Sequence, residues 1–246
     1  MRPLDPSSLA PGLLLGAGVE IPDDADIDPY VTIYSGVALG ANVKIGQGAI
    51  LGRAQHLDSN SCSPRRPDGE PTLIGADCII GSGAVVVAGA RIGERSLLAD
   101  GSLVREGAVI GDEVMVGRGA LVSHTTAIGN GTRIQNDTIV SSGAQIAENV
   151  MIGPRVVILS NTMLSRERGA RSTRGVHICR RARIGAGAIL CPPAEIGEEA
   201  VVGAAALVRH DVPARTVVVG TPARFLRNVR DDEASNRPGP DPSVYV

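Results

Sequence analysis

Residues 74–110 read IGADCIIGSGAVVVAGARIGERSLLADGSLVREGAVI, and every sixth position from Ile74 is aliphatic: Ile80, Val86, Ile92, Leu98, Val104 and Ile110. The series continues without a miss through Val116, Val122, Ile128, Ile134, Val140, Ile146 and Ile152 to Ile158, fifteen positions in all. An earlier run (Leu15, Ile21, Ile27, Ile33, Leu39, Ile45, Leu51) and a later one (Ile178, Ile184, Leu190, Ile196, Val202, Val208) bring the total to twenty-eight hexapeptides. Four residues after each aliphatic comes a smaller one, such as Ala84, Ala90, Ala108, Thr126, Thr132, Ala182 or Ala188. Glycine usually follows the aliphatic, as in Ile74-Gly75 and Ile184-Gly185, where its tolerance of positive φ is expected to allow a corner. Each hexapeptide thus reads as one short strand and one bend. Three of them close a triangular coil of eighteen residues with the aliphatics stacked inside, a parallel β-helix. Twenty-eight repeats make about nine coils, roughly 45 Å of stack at ~4.8 Å per strand.

The composition suits a narrow prism. Aromatic residues are 2% of the chain and Trp is absent, since a core filled by Ile, Val, Leu and Ala leaves little space for rings. The expected organisation is one all-β domain over 1–230, with two excursion loops at 57–73 and 164–177, and a tail at 231–246 of disorder-like composition. A net charge of −2 and the scarcity of aromatic stacking platforms argue against nucleic acid as a partner. The apolar stretch in MRPLDPSSLAPGLLLG is too short and too broken by Pro and Gly for a signal peptide or membrane span. No membrane association is therefore expected, and the expected compartment is the cytoplasm. Cys62, Cys78, Cys179 and Cys191 form no CxxC pair, so they are expected to be structural thiols, with no metal site.

Function is expected where the period breaks. Residues 57–73 are rich in Pro, Ser, Asp and Arg, and residues 164–177 carry Arg166, Arg168, Arg171 and Arg174. Loops on a rigid scaffold commonly hold binding residues, and Arg engages phosphate bidentately. Arg168 and Arg171 are accordingly candidates for contacting an acceptor's phosphate or that of a coenzyme. Of the four histidines, His56 and His177 lie at loop edges, His210 is in the closing turn, and His124 alone is inside an unbroken stretch of coil. Two residues after Val122, its side chain is expected to point outward into a groove that a neighbouring subunit can close.

The repeat array resembles the left-handed hexapeptide β-helix, and the handedness is taken from that family. The string Val122-Ser123-His124-Thr125-Thr126-Ala127-Ile128-Gly129 is similar to that around the catalytic base of hexapeptide acyltransferases, such as the lipid A and bacillosamine-pathway enzymes. The C-terminal third, with Ile184-Gly185-Ala186-Gly187-Ala188, Asp211-Val212-Pro213 and Val219-Gly220-Thr221-Pro222-Ala223-Arg224, resembles bacterial acetyltransferases that act on nucleotide-linked amino sugars. Two departures bear on the acceptor: no counterpart of the bacillosamine enzyme's N-terminal nucleotide-sugar domain is expected, and Thr125 stands where several relatives place Asp or Glu.

What the resemblance implies is a CoA-dependent acyltransferase, N-acetylating an amino sugar, with a small amine or hydroxyl acceptor. Acetyl-CoA or another acyl-CoA would be the co-substrate, with no tightly bound cofactor. The relatives bind the pantetheine arm between two prisms near the late Gly/Ala-rich coils, which here points to Gly185, Gly187 and Gly203, with Arg209 and Arg224 for its phosphates. Activity then presupposes an oligomer, in this family a homotrimer. Asn161 beside Ser160 resembles the Asn of a Thr-Asn pair found there in sugar acetyltransferases, and is assigned to acceptor binding.

Acyl transfer needs a base of near-neutral pKa at the attacking amine or hydroxyl, and His124 is the candidate within the coil. The eighteen-residue period places Glu106 one coil below it, Ser142 one above and Ser160 two above. Glu106 is expected to orient the imidazole and favour the imidazolium, with Ser142 and Ser160 lining the acceptor side. Two other readings compete: a γ-class carbonic anhydrase, which shares the prism but uses three His on a metal, and a catalytically silent assembly protein that keeps the fold.

Overall fold

The computed structural model describes residues 4–55, 70–160 and 175–234. It is a left-handed parallel β-helix, all-β apart from one helical turn at Asp231–Ala234. Three parallel sheets form the faces of the prism. Face 1 runs from Leu14–Gly16 to Leu207–Val208, face 2 from Val37–Leu39 to Glu195–Ile196, and face 3 from Asp26–Ile27 to Thr216–Val219. The chain passes from face 1 to face 2 to face 3 and back, as in Leu121–Val122, Ala127–Ile128, Arg133–Ile134 and Ile139–Val140. Antiparallel strands Leu4–Pro6 and Arg224–Asn228 cover the two ends, as terminal repeats of a solenoid must.

The register follows the eighteen-residue period: Val104 pairs with Val122, Val122 with Val140 and Val140 with Ile158. All fifteen aliphatics from Ile74 to Ile158 are buried. Leu15, Ile21, Ile27 and Leu39, in the first coils, are only partly buried because little stacks beneath them. Face 1 holds ten parallel strands, all on counted aliphatics, and face 3 holds nine such strands plus a tenth, Thr216–Val219, beyond the hexapeptide series. The tenth strand closes face 3 through Val217 and Val218, which pair with Val201 and Val202 off the six-residue beat.

Thr is accepted in the small-residue core slots because its hydroxyl finds backbone. Thr132 Oγ1 donates to Ala147 O (2.8 Å) and accepts from Val150 N (3.1 Å). Thr138 does the same with Gly153 O (2.9 Å) and Val156 N (3.3 Å).

The glycines have a different reason from the one expected. Apart from Gly52 (φ 74°), those directly after the aliphatic do not take positive φ; a Cβ on Gly75 would lie 2.7 Å from Glu94 N, and one on Gly185 would lie 2.4 Å from Ala204 N. Their absent side chain lets the next coil's backbone pass. The left-handed residue comes two positions later, as at Gly107 (φ 63°) and Gly143 (φ 76°).

The loop bounds also shift. The coil resumes in strand Thr72–Ile74 and again at Gly175, so that His177 belongs to strand His177–Ile178, not to a loop. Thr72 Oγ1 accepts from Gly89 N (3.1 Å), and His177 is in register with Gln145 and Glu195. At the far end Asp231–Ala234 form a helical turn, where the Glu233 carboxylate takes Arg227 Nη1 (2.8 Å) and Nη2 (2.9 Å). This pairing holds the Glu233 carboxyl down at about 2.

Neighbouring isoleucines test the inside–outside alternation directly, since Ile80 is 1% exposed and Ile79 is 45% exposed. Ile80→Ala is expected to cost about 2–5 kcal/mol, and Ile79→Ala to stay within about 0.5 kcal/mol, as read by denaturant unfolding.

Candidate active site

Both excursions leave from one edge of the prism. The first departs after the face 1 strand Ile50–Arg53 and returns at Thr72 on face 2; the second departs after Val157–Ile158 on face 1 and returns at His177 on face 2. His124 lies on that same edge, between Leu121–Val122 and Ala127–Ile128. Register places it three coils above the first departure and two below the second.

At His124 the corner is strained. The equivalent corner positions one coil below and one above Thr125 are Gly107 and Gly143, both with positive φ, yet Thr125 holds φ 57°. It is the only β-branched residue with positive φ among the described residues, and a β-branched side chain in that region is an outlier. Such strain concentrates at functional positions. The Thr125 hydroxyl donates to His124 O (2.7 Å) and lies 3.4 Å from His124 Nδ1. The imidazole is half-buried, as are Ser142 and Ser160 above it on the edge.

Glu106 occupies the expected register position below His124, but not as an outward-facing partner. It is 2% exposed, and its carboxylate is taken by Arg105 Nη2 (2.7 Å), Arg105 Nε (3.1 Å) and Gln55 Nε2. Gln55, the last described residue before the first excursion, lies over this position. Arg53, Ala54, Gln55, Val87, Leu103, Arg105 and Glu106 line a small pocket one coil below His124. Arg53, Gln55 and Arg105 were not singled out from sequence. Where Arg53, Ala54 and Gln55 leave the coil decides this grouping, and the hexapeptide period does not specify it.

Other candidate positions are dispersed. Arg209 and Arg224 are exposed in the last coils. Gly187 takes φ 67°, and a Cβ on Gly203 would meet Val219 Cγ1 at 2.7 Å, so with Gly185 all three glycines have roles in building the coil. Asn161, Arg168, Arg171 and His56 lie outside the described residues. Cys78 is buried in a core slot, donates to Gly93 O (3.0 Å), and has its thiol pKa pushed up by burial. Burial also raises the Cys191 thiol, with Arg209 opposing. Among the described residues the one convergence of three metal-ligating side chains is His177, Cys179 and Glu195, which is not a three-histidine set.

Residues 71–106 match the bacterial transferase hexapeptide model of six repeats, and residues 169–192 match the hexapeptide repeat of succinyl-transferase. Both matched stretches are thus similar to the hexapeptide repeats of bacterial transferases. No curated protein sequence matches the chain. Among solved structures, this hexapeptide-repeat chain is similar to a putative acetyltransferase from Bacillus cereus, at 22% identity over 67% of this chain and 82% of that one, TM-score 0.45. It is also similar to a galactoside acetyltransferase in complex with coenzyme A, at 22% identity over 50% and 66%, TM-score 0.45. A GDP-perosamine N-acetyl transferase from Caulobacter crescentus, in complex with CoA and GDP-perosamine, matches at 23% identity over 59% and 54%, TM-score 0.39.

If the left-handed conformation at Thr125 is held at a cost, Thr125→Gly is expected to stabilise the protein by about 1 kcal/mol, near the low end for such strain. Thermal or denaturant unfolding reads the sign, and a loss of stability would show that the hydroxyl's hydrogen bonds outweigh the strain.

Proposed function

We propose that this chain is an acyl-CoA-dependent acyltransferase in which His124 is the general base, acting in a groove along the edge between faces 1 and 2. The observation that carries the reading is the position of His124. Among the described residues, the one histidine inside the unbroken stretch of coil from 70 to 160 lies on the edge from which both excursions leave, beside the one β-branched residue with positive φ.

Chemistry at this point is simple. The acceptor's amine or hydroxyl attacks the thioester carbonyl, its proton passes to the imidazole, and collapse of the tetrahedral species expels the CoA sulfur, which takes the proton. Thr125 is placed to orient the ring: its hydroxyl donates to His124 O, and Oγ1 lies 3.4 Å from Nδ1.

Ser142 and Ser160 border the groove above, and the Arg105–Glu106–Gln55 cluster walls it below. Glu106 therefore acts through the wall of the groove, anchoring the first excursion, rather than as the imidazole's partner. The acceptor favoured is an amino sugar, nucleotide-linked or free, on the resemblance of the His124 string and the Val219–Arg224 ending. Arg209 and Arg224 are assigned to CoA phosphates.

A homotrimer is part of the proposal. The outward positions of face 1 are Leu14, Thr32, Ile50, Val85, Leu103, Leu121, Ile139, Val157, Ile189 and Leu207, nearly all aliphatic. Faces 2 and 3 mix in Arg91, Gln145, His177, Glu195, Lys44, Arg133 and Arg183. A continuous aliphatic face bordering the His124 edge is suited to burial against a second copy, whose prism would close the groove. Among the described residues no helix is long and apolar enough to cross a bilayer.

His124→Ala is expected to lower kcat by ~10²–10⁴-fold with unchanged far-UV dichroism, measured as thiol release from acetyl-CoA against a panel of amino sugars. Full turnover in that variant would reject the assignment.

Ile139, 41% exposed at the middle of face 1, gives the second test. Wild type is expected to sediment as a trimer and Ile139→Glu as a monomer with activity lost, whereas an active wild-type monomer would remove the shared groove.

A further inference from the structure

His177 and Cys179 flank the buried Ile178, so both side chains leave the same outer surface of face 2. Glu195 is the register partner of His177 in the next coil, about 4.8 Å away along the stack. His177 Nδ1 lies 3.3 Å from Glu195 Oε2, and ligand atoms of His177, Cys179 and Glu195 all fall within 4.8 Å of one another. From these positions we infer that the three side chains form a binding site for a thiophilic divalent metal of the zinc type, separate from the His124 groove.

The donor set and the spacing both support this. Imidazole nitrogen, thiolate sulfur and carboxylate oxygen together are the ligands Zn²⁺ prefers, and a thiolate disfavours Mg²⁺ and Ca²⁺. In a tetrahedral site with Zn–S ≈ 2.3 Å and Zn–N or Zn–O of about 2.0–2.1 Å, ligand atoms stand about 3.3–3.6 Å apart. The His177–Glu195 separation of 3.3 Å already equals such an edge, and the Cys179 sulfur lies within 4.8 Å of both. Three protein ligands leave a fourth position for water.

The scaffold is rigid where a metal site needs it to be. His177 N donates to Ala194 O (3.1 Å) and Cys179 N to Ile196 O (2.8 Å), fixing the two strands in register. Glu195 N donates to Asp211 Oδ1 (2.8 Å), tying the carboxylate's strand to the coil above. The neighbouring cations Arg180 and Arg181 are directed to Glu198 (2.7 Å) and Glu199 (3.4 Å), one coil up and away from the cluster. The site stands where the chain re-enters the coil after 161–174, two coils above Ala127 on face 2. A metal there would staple the returning strand to the next coil, a stabilising role that does not depend on acyl transfer.

The test uses the full-length protein freed of metal by chelator and dialysis. Titration with Zn²⁺ against a chromophoric chelator is expected to show one equivalent bound per chain, with a rise in the unfolding midpoint, as for any ligand specific to the folded state. Co²⁺ in its place is expected to give the intense visible bands of a tetrahedral site and a near-ultraviolet sulfur-to-cobalt charge-transfer band. Cys179→Ser should abolish that band. His177→Ala and Glu195→Gln should each weaken Zn²⁺ binding by more than about 100-fold, since losing even an outer-shell partner costs about 10–100-fold. Cys191→Ser, at the other half-buried thiol, should change nothing. Absence of stoichiometric Zn²⁺ binding in folded wild type, or a charge-transfer band that survives Cys179→Ser, would overturn the inference.

Discussion

The structure depends on one stacking constraint: each coil rests on the next in register, aliphatic on aliphatic, at about the 4.8 Å spacing of hydrogen-bonded strands. At that spacing a Cβ on Gly75, Gly93, Gly111 or Gly185 would come within 3 Å of the next coil's backbone, and glycine at these four positions lets the coils pass. A second consequence is that each corner needs a residue in the left-handed region, filled by Gly, Asn, Asp or a charged residue at most turns. The core is apolar and closed, so chemistry has only the outer faces and the edges available to it.

One edge is used unlike the other two. Both interruptions of the coil open from the face 1–face 2 edge, and between them lie a buried carboxylate, a half-buried imidazole and a threonine in a conformation that glycine would adopt at less cost. The strain at Thr125 and the hydroxyl contact to His124 are two aspects of one local arrangement, because the left-handed turn is what brings Oγ1 back toward the preceding ring. Departure from the repeat thus coincides with the residues on which acyl-transfer chemistry would depend.

Most of the fold was legible because the period is strict. The fifteen positions from Ile74 to Ile158 are read as core by count alone, and the eighteen-residue rule places Glu106, His124, Ser142 and Ser160 on one edge without any coordinates. What was not legible depends on the excursions. Glu106 is buried because Gln55, fifty-one residues earlier, folds over it, and no periodic rule predicts where an aperiodic segment lies. The glycine pattern was seen but its cause was misjudged: close approach of backbones, not positive φ, selects it. The His177–Cys179–Glu195 cluster was within reach of the same rule, since Glu195 follows His177 by eighteen residues. Counting His177 into the loop hid that register and left Cys179 as an ordinary core-edge thiol.

The central claim, that His124 is the base on the edge between the excursions, is tested most directly by the pH dependence of kcat/KM for acetyl-CoA-dependent acylation of a hydroxyl acceptor or an amine of low pKa. For wild type, kcat/KM should fall toward low pH with a slope of one, as the free enzyme's base becomes protonated. That acid limb should be absent from the residual activity of His124→Gln and retained in His210→Gln. An acid limb that persists unchanged in His124→Gln would contradict the account and place the base elsewhere.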